Sequence, residues 1–162
     1  MSKEFNENKV AVITGGAKKI GRATAKKLAE QGFNILIHTG GKSIEEAKKT
    51  VEIVKEYGVK SNFVDGDLLN LTTINKIKEA AIKLGTPSVL INNAALRINE
   101  DFEKITYEDW KKVMTVNVDA SFLCAQALIG YMTKQKWGRI INIGGISGHI
   151  GCLLYTSDAA AE

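Results

Sequence analysis

Cysteine, proline and aromatic residues are all scarce in this chain of 162 residues. The two cysteines, Cys124 and Cys152, form no Cys-x-x-Cys pair and sit near no histidine cluster. That argues against a disulfide framework and against any metal site, and it suits a reducing cytoplasm. The single proline, Pro87, falls between a predicted helix and a predicted strand, where its fixed φ does no harm. There is no low-complexity linker and no internal repeat. Residues 1–9 are polar, which excludes a secretory leader. No apolar run approaches the roughly 20 residues that cross a bilayer, so no membrane is expected. Charge of one sign is not in excess either. The 22 basic and 18 acidic residues are interspersed, and their net +4 is too mild to argue for nucleic acid.

What remains is 44% apolar and 25% charged, the make-up of one soluble domain with a real core. Five short runs read as strands: Val10–Thr14, Asn34–Thr39, Ser61–Asp65, Ser88–Asn92 and Arg139–Ile143. None alternates polar with apolar, so each is expected to be buried on both faces. Helical patterns lie between them, over Ile20–Gln31, Ile44–Tyr57, Thr73–Leu84 and a long stretch from Tyr107 to about Gln135. Ser43 with Glu46 three residues on has capping-box spacing. Thr106 is placed to cap the long helix, with Glu108 and Asp109 in its first turn. Gly32, Gly58 and Gly85 fall where helices end in a left-handed residue. Along the long helix, Trp110, Val113, Met114, Val116, Phe122, Leu123 and Leu128 recur at helical spacing and read mostly as core.

Such strand–helix alternation predicts an α/β, Rossmann-type, doubly wound parallel sheet. Its five strands should take the order 3-2-1-4-5, with a switch point between the first and the fourth.

The first strand runs into Thr14-Gly15-Gly16-Ala17-Lys18-Lys19-Ile20-Gly21 and then a helix. Glycine allows positive φ and close backbone approach, and the helix N-terminus presents free N–H groups to an anion. In a strand–turn–helix setting this predicts dinucleotide binding. The second strand ends at His38-Thr39-Gly40-Gly41-Lys42-Ser43 without the acid that holds ribose hydroxyls in NAD sites. Thr39, Lys42, Ser43 and the turn lysines suit a 2′-phosphate, which favours NADP while leaving NAD open. Lys42 as a plain surface charge is the competing reading.

Further on stand Asp67-Leu68 after the third strand, Asn92-Asn93-Ala94-Ala95 after the fourth, and Asn117 within the long helix. With the glycine turn, and in this order, they resemble the short-chain dehydrogenase/reductase family over residues 8–151. The family turn is Thr-Gly-x-x-x-Gly-x-Gly; here Lys19 stands at the middle glycine, and Ala95 replaces the glycine of Asn-Asn-Ala-Gly. The resemblance implies hydride transfer between nicotinamide and a small carbonyl or alcohol substrate, in a homodimer or homotetramer. It implies cofactor contacts from Thr14, Gly15, Lys18, Lys19, Ile20, Gly21, Thr39, Lys42, Asp67, Leu68, Asn93, Ala94 and Ala95. Asp67 would meet the adenine amino group and Leu68 wall its ring, although an Asp here can equally tighten the turn. Asn117 would hold a water of the proton relay.

The rest of the family's catalytic set is missing. Gly145 occupies the usual serine position, and Ser147 is out of register by two. Tyr155 has Ala159 four residues on, and no lysine follows position 136. A phenol without a neighbouring cation keeps a pKa near 10 and is a poor acid or base at neutral pH. Residues 152–162 resemble a translated sequencing adapter, with Ala161 where that read-through has Asp. The expectation is therefore an incomplete dinucleotide-binding domain over 1–151, cut off before a sixth strand, inactive alone, with a non-native tail at 152–162. Its fifth strand, bearing Ile140, Ile141 and Ile143, would be an exposed edge. A non-catalytic dinucleotide-binding module is the alternative.

Overall fold

Three strands, β1 (Lys9–Ile13), β2 (Asn34–Thr39) and β4 (Thr86–Asn92), are almost wholly buried and form the centre of a parallel sheet. The computed structural model describes residues 6–145. Strands β3 (Ser61–Asp65) and β5 (Arg139–Asn142) lie at the two edges, and the order is β3-β2-β1-β4-β5. All four pairings are parallel, and Val12 stands beside Leu36 on one side and Leu90 on the other. Ser147, Tyr155 and the 152–162 tail lie outside the described residues.

Successive strand residues point to opposite faces, so the core splits in two. Val10, Val12, Leu36 and Leu90 pack beneath α3 (Leu71–Leu84) and α5 (Ala120–Lys134). Ala11, Ile13, Ile35, Ile37, Val89 and Ile91 face α1 (Lys19–Glu30) and α2 (Ile44–Lys55). The helices answer with rows three and four apart, such as Ala47, Thr50, Val51 and Val54 on α2 and Ile74, Ile77 and Ala81 on α3.

Several local expectations need correction. The edge strands are not buried on both faces: every residue of β5 is exposed, because among the described residues it pairs only with β4. Pro87 lies inside β4 opposite Val10, and the register slips there to accommodate it. Ser43 makes no capping bond, its ψ of 28° lying outside the extended range of a capping residue, and the Glu46 carboxylate pairs with Arg22. Asn70 caps α3, accepting from the Thr72 N–H, and the helix starts two residues before the expected Thr73. Thr106 does cap α4 (Tyr107–Met114), accepting from the Asp109 N–H at 3.1 Å. Gly32 and Gly58 take positive φ past their helices, at 88° and 81°.

The long helix is the largest departure. It runs from α4 through one wide π turn, Thr115–Asp119, into α5. Its buried row is Ala120, Cys124, Leu128 and Met132; of the seven residues expected in the core, Leu128 is fully buried and Leu123 packs against the core partly buried. Trp110, Val118, Phe122 and Ile129 form an uncovered apolar stripe on the opposite side. At 28 residues, with a mean hydropathy of 1.4 over its most apolar 18, this stretch is long and apolar enough to cross a membrane, contrary to the sequence reading. Its buried row nonetheless lies in the core against the sheet.

Candidate functional site

The carboxyl ends of β1 and β4 meet where the connections leave to opposite faces, and the first turn is built around that crossing. Gly15 has φ +61°, and a Cβ there would stand 2.9 Å from the Ala94 Cα. At Gly21 a Cβ would stand 2.5 Å from the Gly15 carbonyl oxygen, so α1 can sit this close only without a side chain. Lys19, at the family's middle glycine, keeps a glycine-like backbone at φ 49°.

Asn93 fastens the turn to β4. Its Nδ2 donates to the carbonyls of Thr14 (3.0 Å) and Gly15 (2.9 Å). Thr14 Oγ1 in return accepts from the N–H groups of Asn93 and Ala94, each at 3.0 Å. Arg22 fastens the far side, donating through Nε to Thr50 Oγ1 (2.7 Å) and through a terminal nitrogen to the Ala17 carbonyl (2.9 Å). It also pairs with Glu46, whose carboxyl it holds below the usual range together with Lys49.

These elements surround an open cavity of about 620 Å³. Of the thirteen residues expected around a cofactor, twelve line it: Gly15, Lys18, Lys19, Ile20, Gly21, Thr39, Lys42, Asp67, Leu68, Asn93, Ala94 and Ala95. Thr14 does not, being 2% exposed with its hydroxyl engaged by β4. Asp67 tightens its turn, its Oδ1 accepting from the Leu69 N–H at 3.0 Å, and the residue also lines the cavity.

The arrangement fits a dinucleotide. No side chain caps α1 and no acid stands in its first turn, so its N–H groups and positive dipole end are left for an anion. Three lysines line the cavity against one carboxylate, Asp67.

Asn117 lies outside this cavity. It lines a second one of about 590 Å³ with Asn92, Ser121, Asn142 and Gly145. Its side chain is engaged at both ends, accepting from the Leu96 N–H (2.8 Å) and donating to the Leu96 carbonyl (3.0 Å). Its own carbonyl accepts from Ser121 Oγ at 3.2 Å. Among the described residues no cluster could hold a metal ion.

The sequence reading missed His38 and Arg22. His38 lines the cavity though it is 3% exposed. A histidine within an otherwise apolar buried strand was the available signal. Nothing in the sequence marked Arg22, because its partners lie 5 to 28 residues away.

Fold and cavity together define a Rossmann-type α/β domain with an open cavity at its switch point. The family model for short chain dehydrogenases matches residues 9–161, and the chain belongs to that family of oxidoreductases. It is 38% identical over 159 residues to the 3-oxoacyl-(acyl-carrier-protein) reductase FabG of Aquifex aeolicus, covering 95% of this chain and 63% of the reductase. The crystal structure of acetoin dehydrogenase YohF from Salmonella typhimurium superimposes with a TM-score of 0.86 at 33% identity, covering 95% of this chain and 61% of that one. A blue fluorescent protein from a metagenomic library, in complex with NADPH, gives 0.80 at 29% identity, covering 96% and 64%. The chain thus spans under two thirds of the length of each.

Proposed function

We propose that this chain is the dinucleotide-binding part of an oxidoreductase that moves hydride between an NADP nicotinamide and a small carbonyl or alcohol substrate. The observation that carries the reading is the cavity at the β1/β4 crossing, with an uncapped helix N-terminus and Lys18, Lys19 and Lys42 on its walls. Those cations, and a β2 that ends without an acid, favour the 2′-phosphate of NADP over the free ribose of NAD. A structural neighbour in complex with NADPH supports the same choice. Bound there, the cofactor supplies or accepts the hydride. The turn and α1 hold its diphosphate, Asp67 and Leu68 flank the adenine, and Ala94 and Ala95 leave room over the end of β4. Asn117 positions the Leu96 segment and offers its carbonyl to a relay water.

The intact parent is a cytoplasmic homodimer or homotetramer. Residues 1–151 are the dinucleotide-binding domain, incomplete, and 152–162 a non-native tail. Alone, the 162 residues bind the dinucleotide without turning it over, since Gly145 stands at the serine position and no Tyr-x-x-x-Lys follows β5, Tyr107 and Lys111 having that spacing only at the start of the long helix. Gly145 also favours a second reading, a module that binds dinucleotide and performs no chemistry in any context. A Tyr-x-x-x-Lys downstream in the genomic reading frame supports the enzyme; a frame that ends as this one does supports the module.

Calorimetric titration of the chain with NADP and with NAD is the direct test, followed by NADPH oxidation assays with acetoin and a 3-oxoacyl thioester. NADP binding tighter than NAD, without turnover, is expected. Failure of both to bind overturns the proposal, NAD preference overturns the cofactor choice, and turnover overturns the inactivity of the isolated chain.

A further inference from the structure

One buried ionisable group faces the dinucleotide cavity, and no step above uses it. His38 is the penultimate residue of β2, with its ring between two turns that both line the cavity. On one side Nε2 lies 2.9 Å from the Gly66 carbonyl oxygen. On the other, the Gly15 N–H donates to Nδ1 at 3.5 Å. The main chain adds a third tie, Gly16 N–H to the His38 carbonyl at 3.0 Å.

A carbonyl oxygen can only accept, so Nε2 must carry a proton. An amide N–H can only donate, so Nδ1 must keep its lone pair. Only the neutral Nε2–H tautomer meets both demands. A second proton would set N–H against N–H at Gly15, in a ring that water scarcely reaches.

Resting on the dinucleotide reading above, we infer that His38 is a positioning residue: its neutral ring joins the glycine turn to the β3–α3 turn, and dinucleotide selects that form. Gly15 belongs to the turn that would hold the diphosphate, and Gly66 precedes Asp67 at the adenine end. The ring thus sets the spacing between the two ends of the adenosine diphosphate site, and protonating it releases one of them. The charged groups around it are Asp65 on β3 and Asp67 beyond it, with Lys18 and Lys19 from the glycine turn and Lys42 after β2 on the same cavity. Burial pushes the imidazole pKa below 6.5, against the opposing pull of the Gly66 carbonyl, Asp65 and Asp67.

The test is NADP affinity of the full 162-residue chain between pH 5 and 8, beside His38→Asn and His38→Leu. The 2′-phosphate of NADP itself titrates in this range, so the quantity read is the difference between wild type and His38→Asn. Wild-type affinity is expected to fall on acidification by up to about tenfold per pH unit, the slope for one linked proton. His38→Asn, whose amide can donate and accept but does not titrate, should lack that component. His38→Leu should bind at least about tenfold more weakly at pH 8, while far-ultraviolet circular dichroism reports whether it is folded. Identical pH profiles for wild type and His38→Asn overturn the inference. So does affinity that tightens on acidification, as simple attraction between a cation and the diphosphate would give. Absence of both NADP and NAD binding by the wild type at every pH brings down the dinucleotide reading itself, and this inference with it.

Discussion

Asn117 grips Leu96 by both ends of its backbone unit, taking the N–H at 2.8 Å and giving to the carbonyl at 3.0 Å. This pair joins the wide turn of the long helix to the segment that follows β4, so the helix irregularity and the floor between the two cavities are one feature. Asn117→Asp keeps the acceptor but sets an oxygen against the Leu96 carbonyl; Asn117→Leu removes both bonds. Since a hydrogen bond contributes about 0.5–1.5 kcal/mol net, Asn117→Leu should lower stability by about 1–2 kcal/mol in urea unfolding. Asn117→Asp should cost at least as much at neutral pH and recover part of it when the carboxyl is protonated.

Lys19 holds a backbone at φ 49° that L-residues with a Cβ adopt at a cost of about 1–2 kcal/mol. Lys19→Gly removes that strain, while the freer unfolded chain takes back about 0.4–1 kcal/mol. The net expectation is a gain of about 0.5–1 kcal/mol in urea unfolding, together with weaker NADP binding from the lost charge. Lys19→Val, branched at Cβ, should destabilise.

Arg22 and, after it, Lys49 hold the Glu46 carboxyl below its ordinary 4.5. A folded-state pKa that is lowered contributes stability above the unfolded value, and that contribution is lost as pH falls through the folded one. Stability should therefore decline below about pH 4.5 with a share belonging to Glu46. Glu46→Gln should be less stable at neutral pH and show a shallower acid decline, read from thermal midpoints across pH 3–7.

Cys124 is 1% exposed in the sheet-facing row of α5, and burial pushes its thiol up to about 11. At pH 8 only about one thiol in a thousand would be ionised, and the thiolate is the reactive form. In a Cys152→Ser background, Cys124 should resist a disulfide reagent until urea unfolds the protein. Rapid labelling of the folded protein would contradict the packing of α5.

The order of strands, the site turns and the cavity position of twelve of the thirteen expected residues were legible because they depend on local signals. Val- and Ile-rich runs, glycines at strand ends and Asn-Asn-Ala after a strand each state their role within a few residues. Thr14 went the other way for a reason the sequence hides. Its hydroxyl is taken by N–H groups 79 and 80 positions later. The reciprocal half of the expected capping box failed similarly, because the Glu46 carboxylate found a partner on another helix. The exposed stripe of Trp110, Phe122 and Ile129 shows the limit of periodicity, which marks an apolar face but not what lies against it.

By itself, then, the sequence determined the α/β alternation, the parallel order and the tight glycine turn after the first strand, since periodicity and glycine placement are properties of short stretches. Only the tertiary structure decided which polar groups are engaged: Thr14 with β4, Arg22 with Glu46 and Thr50, Asn117 with Leu96, and His38 between Gly15 and Gly66. Those partners lie far apart in the chain, and a buried donor or acceptor takes whichever complementary group the packing brings within reach.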